Sequence, residues 1–160
     1  MMSLGIDQSF SCTGLVVVDE NGAIECWETF KAEGKNETTL HTVKRADKIA
    51  EVILQLCTKY DISVVGIEGL SFGSVTNATR DLAMLQAIIV DRLLKAGYNP
   101  HVIAPTSLKK YATGKGNSKK EALFDCLPSD VSEIFGSVPK TKGRYDLTDA
   151  YWLARLAATL

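Results

Sequence analysis

The stretch LGIDQSFSCTG, Leu4 to Gly14, ends an apolar run with an acid. Small and hydroxyl residues follow it, and then a second apolar run begins. A short run of this kind is a buried strand, and a buried carboxylate is costly unless something pairs with it. The arrangement recurs at Ile62 to Glu68, ISVVGIE, where Glu68 follows VVGI. The fold must therefore bring the ends of two buried strands to a place that tolerates negative charge. Ligands of sheets with crossover helices tend to bind at the carboxyl ends of strands.

The rest of the chain supplies such a sheet. Ser3–Asp7 and Gly14–Val18 read as strands, DENG at Asp19–Gly22 as a turn, and Ala23–Lys31 as a third, antiparallel strand. Glu37–Tyr60 carries Leu40, Val43, Ile49, Val52, Ile53 and Leu56 at three- and four-residue spacing, which predicts an amphipathic helix. Ile62–Glu68 is a central buried strand. GLSFGSVTN is a loop, Asn77–Gly97 is a long helix closed by Gly97, and PHVIAP is a fifth strand. Thr106 or Ser107 caps a short helix. GKGNS is a flexible loop, Lys119–Leu127 a helix, and Pro128–Lys142 turn-rich. Tyr145–Leu160 is a final helix with Ala150, Leu153, Ala154 and Ala157 on one side. An antiparallel meander followed by strand–helix alternation gives an α/β fold, a five-stranded mixed sheet with helices on both faces. With 160 residues and no repeat or low-complexity linker, residues 1–160 are expected to form one domain.

Asp146 and Asp149 join the two strand-end acids as candidates, because a spacing of three puts both on one face of the last helix. Taken singly, three have a plain explanation: Asp146 as an acid favoured by the helix dipole, Asp149 as its neighbour, Asp7 as a turn residue; Glu68 after its apolar run is harder to dismiss. Taken together, four converging carboxylates repel one another, and a divalent cation resolves the repulsion. Oxygen-only donors suit Mg²⁺ or Mn²⁺ and not zinc. Two such ions about 3.5–4 Å apart are the apparatus for in-line attack on a phosphodiester.

A formal net charge of -1 argues against a general polyanion binder, but its distribution does not. Lys109, Lys110, Lys115, Lys119, Lys120, Lys140, Lys142 and Arg144 share one interval with only four acids. Five lysines crowd into Lys109–Lys120, at an electrostatic cost that a polyanion repays. Gly114 and Gly116 between them let a sugar-phosphate backbone come close. No apolar run approaches the ~20 residues of a bilayer span, and the first residues lack a basic region followed by a long apolar core. The expectation is a cytoplasmic protein with four reduced, inert cysteines. Arg80, Leu82, Leu85, Ile88 and Ile89 are expected in core and subunit contact, and Tyr151 and Trp152 in the core.

Four stretches in this order carry a resemblance: LGIDQSFSCTG with Asp7, VVGIEGLSFG with Glu68, KKYATGKGNSKKEAL, and YDLTDAYWLA with Asp146 and Asp149. Together they resemble the RuvC-type Holliday-junction resolvases, which have a ribonuclease H-like fold. The resemblance implies that Asp7 bridges two Mg²⁺ (or Mn²⁺) ions per subunit, that Glu68 and Asp149 ligate one, and that Asp146 completes the set. It implies a homodimer contacting through the helix at 77–97, and paired nicks in four-way junctions that leave 5′-phosphate and 3′-hydroxyl ends. Lys109 and Lys120 match basic positions of that family and become phosphate contacts at the cut, with Lys120 counted as catalytic. Lys110, Lys115, Lys119, Lys142 and Arg144 would bind DNA more broadly, and Phe72 would stack on or wedge into an opened base pair. Gln8 and Ser9 stand where many relatives have Pro-Gly, and the loop from Glu68 to Phe72 is one residue longer than in the bacterial form. Both features resemble phage-encoded relatives and widen the expected substrate to forks, flaps and other branched DNA. Two other readings compete: a non-catalytic binder of branched DNA on the same fold, and an actin-like ATPase or sugar kinase. The latter needs a second similar domain, which 160 residues do not supply.

Overall fold

A computed structural model of the chain describes residues 1–71, 73 and 75–160. Its centre is a five-stranded sheet in the order β3-β2-β1-β4-β5. The strands are β1 (Met2–Asp7), β2 (Thr13–Val18), β3 (Ile24–Phe30), β4 (Ile62–Glu68) and β5 (His101–Ile103). β1, β2 and β3 form an antiparallel meander, while β4 and β5 extend it in parallel from β1. The mixed sheet expected from sequence is thus present.

The turn between β2 and β3 differs in detail from a two-residue Asn-Gly hairpin. The Gly22 N–H donates to the Asp19 carbonyl, so Glu20 and Asn21 are central and Gly22 follows at φ 86°. The Asp19 carboxylate also accepts from the Asn21 and Ala23 N–H groups, which favours this wider turn.

One face of the sheet is covered by α1 (Thr39–Lys59) and α2 (Asn77–Lys95), which pack on each other. α1 starts at Thr38, whose hydroxyl accepts from the His41 N–H. Its buried stripe is Thr42, Ala46, Ile49, Ala50, Ile53, Leu56 and Cys57. Leu40 and Val43, expected on that stripe, are exposed. At 100° per residue Leu40 lies nearly opposite Thr42, so two small residues take the sheet-facing places at this end of the helix. In α2, Leu85, Ile89 and Leu93 are fully buried, and Leu82 and Ile88 pack against the same cluster. Arg80 is not in the core: it is exposed and bonds Asn77 in the first turn. Past α2 the Tyr98 N–H donates to Leu93 and the Gly97 N–H to Leu94, with Gly97 at φ 93°. This left-handed glycine stop is the ending the sequence suggests.

The other face carries α3 (Pro105–Thr113), α4 (Lys120–Asp125), α5 (Ser129–Gly136) and α6 (Arg144–Ala157). Neither Thr106 nor Ser107 caps α3: Ala104 is its boundary and Pro105 supplies the first helical position. The turn-rich stretch after Pro128 contains α5, because Val131 and Phe135, four apart, are buried against β2 and α6. The GKGNS segment is tied rather than loose. The Thr113 hydroxyl bonds Lys109 and Lys115 carbonyls, and Ser118 returns to Lys115. Trp152 and Tyr151 pack in the core as expected, Trp152 donating its indole N–H to the Leu123 carbonyl. All four cysteines are free, but Cys126 is exposed and only Cys57 is fully buried. None of the helices among the described residues is long and apolar enough to cross a membrane.

α6 lies directly on β1, β2 and β4 because glycines leave room for it. A Cβ at Gly5 would stand 1.7 Å from the Ala150 carbonyl oxygen. At Gly66 it would be 2.6 Å from the Leu153 carbonyl oxygen, and at Gly14 2.6 Å from that of Asp146. Three neighbouring strands therefore present a side-chain-free floor. Ala150, Leu153, Ala154 and Ala157 fill the seam at 0% exposure. This contact fixes the height and rotation of the helix that carries Asp146 and Asp149.

Candidate active site

β1 and β4 run parallel, so their last residues, Asp7 and Glu68, emerge at the same edge of the sheet. The first turns of α6 pass over that edge. Asp7, Glu68 and Asp149 each offer a carboxylate oxygen within 4.8 Å of the others. Asp146 stands outside this triplet, against Asp7, with its carboxyl in hydrogen-bond contact with that of Asp7. The four acids singled out from sequence do converge, as a triplet with one flanking member.

Crowding and burial make their negative charge unfavourable. Asp7 is held well above the usual aspartate range, first by burial and then by the charges of Asp149, Glu68 and Asp146. Asp149 is pushed up to about 7 by burial, Glu68 and Asp146, against a partial offset from Lys109 and Lys120. Burial raises Glu68 as well, with Lys109 opposing. The Cys12 thiol, beside Asp146, is raised to about 11 by burial and by that acid, so it stays neutral. A cluster of partly buried oxygen donors that destabilises its own ionised form fits a hard divalent cation. With no thiolate or imidazole in the set, it does not fit zinc.

The basic residues separate by position. Lys109 (α3) and Lys120 (α4) are near enough to shift the acids. The Lys120 ammonium also lies 5.1 Å from the Tyr145 ring centre. Lys115 and Lys119 are exposed on the loop and cap between these helices. Lys142 lines a cleft of about 330 Å³ with Lys31, Ser11 and Cys12, on the Asp146 side of the cluster. Lys110 projects elsewhere, into a groove with Val102, Tyr111, Leu156 and Leu160. Arg144 is half-buried and acts as a strut. Its guanidinium donates to the Val138 and Gly136 carbonyls and stacks over Phe124, tying α5 to the start of α6. Phe72 lies outside the described residues.

Three residues near the cluster carry no signal a single sequence would reveal. Lys31 follows β3 alone, without a basic neighbour. Gln8 and Gln86 both bond the Glu68 carbonyl, a contact between residues 60 and 18 positions away.

A family model described as crossover junction endodeoxyribonuclease RuvC matches residues 3–128. A crossover junction endodeoxyribonuclease RuvC of Treponema denticola is 28% identical over 127 residues, covering 78% of this chain and 69% of the relative. Two solved structures share the fold. Thermus thermophilus RuvC in complex with Holliday junction substrate aligns with a TM-score of 0.72 at 19% identity, over 96% of this chain and 90% of that one. Fowlpox virus resolvase bound to substrate Holliday junction DNA aligns with a TM-score of 0.60 at 15% identity, over 98% and 95%.

Proposed function

Because the chain belongs to the RuvC family of crossover junction endodeoxyribonucleases, we propose that it is an endonuclease that resolves four-way DNA junctions. The observation that carries this reading for the chain's own residues is the triplet of carboxylates within 4.8 Å at the sheet edge, with Asp146 against it. Nucleases of this family depend on divalent metal, and these residues would hold it. The finer assignment is two Mg²⁺ (or Mn²⁺) ions: Asp7, Glu68 and Asp149 would hold one, and Asp146 beside Asp7 would help to hold the other. The chemistry such ions supply when bound is activation of water for in-line attack and neutralisation of the leaving 3′-oxygen. Cleavage of that bond leaves 5′-phosphate and 3′-hydroxyl ends.

The protein's own groups do the rest. Asp7, Glu68 and Asp149 are fixed in place before substrate arrives, so little reorganisation is needed at the moment of reaction. Lys109 and Lys120 place positive charge beside the acids, where the scissile phosphate would sit. Lys115, Lys119, Lys142 and Lys31 flank that point and suit the continuing phosphate backbone. Both histidines lie outside the acid cluster. A homodimer contacting through α2 would present two such centres to a symmetric junction. Forks and flaps offer the same local backbone and belong to the expected substrate range.

Incubation of the protein with an end-labelled four-way junction, with and without Mg²⁺, tests the reading. Paired nicks that need the metal are expected, and Asp7→Asn or Glu68→Gln should abolish them while a junction gel shift survives. A shift without cleavage under every metal condition would favour the non-catalytic binder. Near wild-type cutting by either variant would remove that residue from the centre.

A further inference from the structure

The Glu68 carbonyl sits where the ladder between β1 and β4 has ended. The last pair is Ile6 with Ile67, and β1 ends one residue later at Asp7. On the β5 side Glu68 is still paired with Ile103, and the Gly69 N–H donates to the Ile103 carbonyl at 2.7 Å. On the β1 side two side chains replace the missing strand. The Gln8 amide donates to the Glu68 carbonyl at 3.1 Å, and the Gln86 amide from α2 donates to the same oxygen at 2.7 Å. A carbonyl oxygen has two lone pairs, and both are used. Gln8 is 6% exposed, and its own Oε1 has no partner among the described residues. A buried orphan acceptor is unfavourable, yet the amide keeps the orientation that serves Glu68.

This restraint has a purpose in a cluster of like charges. Three carboxylates within 4.8 Å push one another apart. Asp149 is anchored by a helix on a glycine floor. Asp7 and Glu68 each end a strand, but Asp7 pairs with Gly14 of the six-residue β2, whereas Glu68 pairs only with Ile103 of the three-residue edge strand β5. Glu68 is the member that repulsion could displace.

We infer that Gln8 and Gln86 are positioning residues: their amides clamp the Glu68 peptide and so keep its carboxylate at ligating distance from Asp7 and Asp149. The inference rests on the metal-centre reading above. Neither glutamine touches substrate or cation. Each acts through Glu68, as supporting partners of metal ligands commonly do.

The test is Gln86→Met, which keeps length and volume and removes the donor. Mn²⁺ is titrated into the full-length protein without DNA, and free Mn²⁺ is read by electron paramagnetic resonance. Affinity is expected to fall about tenfold or more, while junction binding without divalent metal stays within about twofold. Gln86→Asn, too short to reach, should behave in the same way and serves if the methionine variant fails to fold. Val52→Ala, which thins the core beneath α1, should lower the melting temperature and leave Mn²⁺ affinity alone. A clamp predicts this separation, and a general packing role does not. Wild-type Mn²⁺ affinity in Gln86→Met would overturn the clamp. Equal Mn²⁺ binding by wild type and Asp7→Asn is a different outcome, which would overturn the metal centre and the clamp with it.

Discussion

Asp149→Asn should make the metal-free protein more stable, although it removes a residue of the proposed metal centre. The side chain keeps its shape and loses its charge. In the folded protein Asp149 titrates near 7, against an ordinary value of 3.8. Raised in this way, the group holds a proton in the folded state that it would release in the unfolded state. Stability is therefore full below about pH 4, falls as pH rises towards 7, and levels off above. At about 1.4 kcal/mol per pH unit the ceiling on the cost is about 4 kcal/mol. Relaxation and water entry reduce it to the order of 2 kcal/mol. For a chain of this size, that corresponds to a rise of about 4–8 °C in melting temperature at pH 8. The assay is thermal unfolding of both proteins in EDTA from pH 4 to pH 8. The two should coincide at the acid end and separate by pH 7. Added Mn²⁺ should raise the melting temperature of wild type and scarcely move that of the variant. A variant that melts at or below wild type at pH 8 would show that the carboxylates are not crowded as described.

Lys120→Ala should slow junction cleavage at saturating DNA tenfold or more while leaving the melting temperature within about 2 °C, measured by single-turnover kinetics and calorimetry. Arg144→Ala should do the reverse, costing about 2 kcal/mol in urea unfolding with junction affinity within about twofold, because it strips donors from the Gly136 and Val138 carbonyls. Gly5→Ala should prevent folding outright, read as loss of soluble protein. Its Cβ would stand 1.7 Å from a backbone oxygen that cannot move without lifting all of α6.

The parts legible in the sequence were those with local causes. Asp7 and Glu68 announced themselves by breaking an apolar pattern, and Gly97 by following one. The five-stranded mixed sheet followed from the meander and the strand–helix alternation. What stayed hidden depended on pairing at a distance. Nothing in the chain marks Leu40 and Val43 as exposed, since their phase matters only once Thr42 and Ala46 are seen against the sheet. Helix α5 was masked by the Pro, Ser and Gly around it, although Val131 and Phe135 had helical spacing. Arg144 looked like its basic neighbours until its partners, two carbonyls and Phe124, were visible. Gln8 and Gln86 were silent because an amide that serves a distant carbonyl leaves no periodic trace. Asp146 and Asp149 fell between these cases. Their shared helix face was readable, but their division into a flanking and a central acid was not.

The seam between α6 and the three glycines has a temporal meaning as well. A ribosome releases Asp7 early and Asp149 late, and no partly made product holds both. The cutting centre therefore cannot exist until the final helix has docked on a finished sheet. An endonuclease of this family is in this way kept inactive throughout its own synthesis.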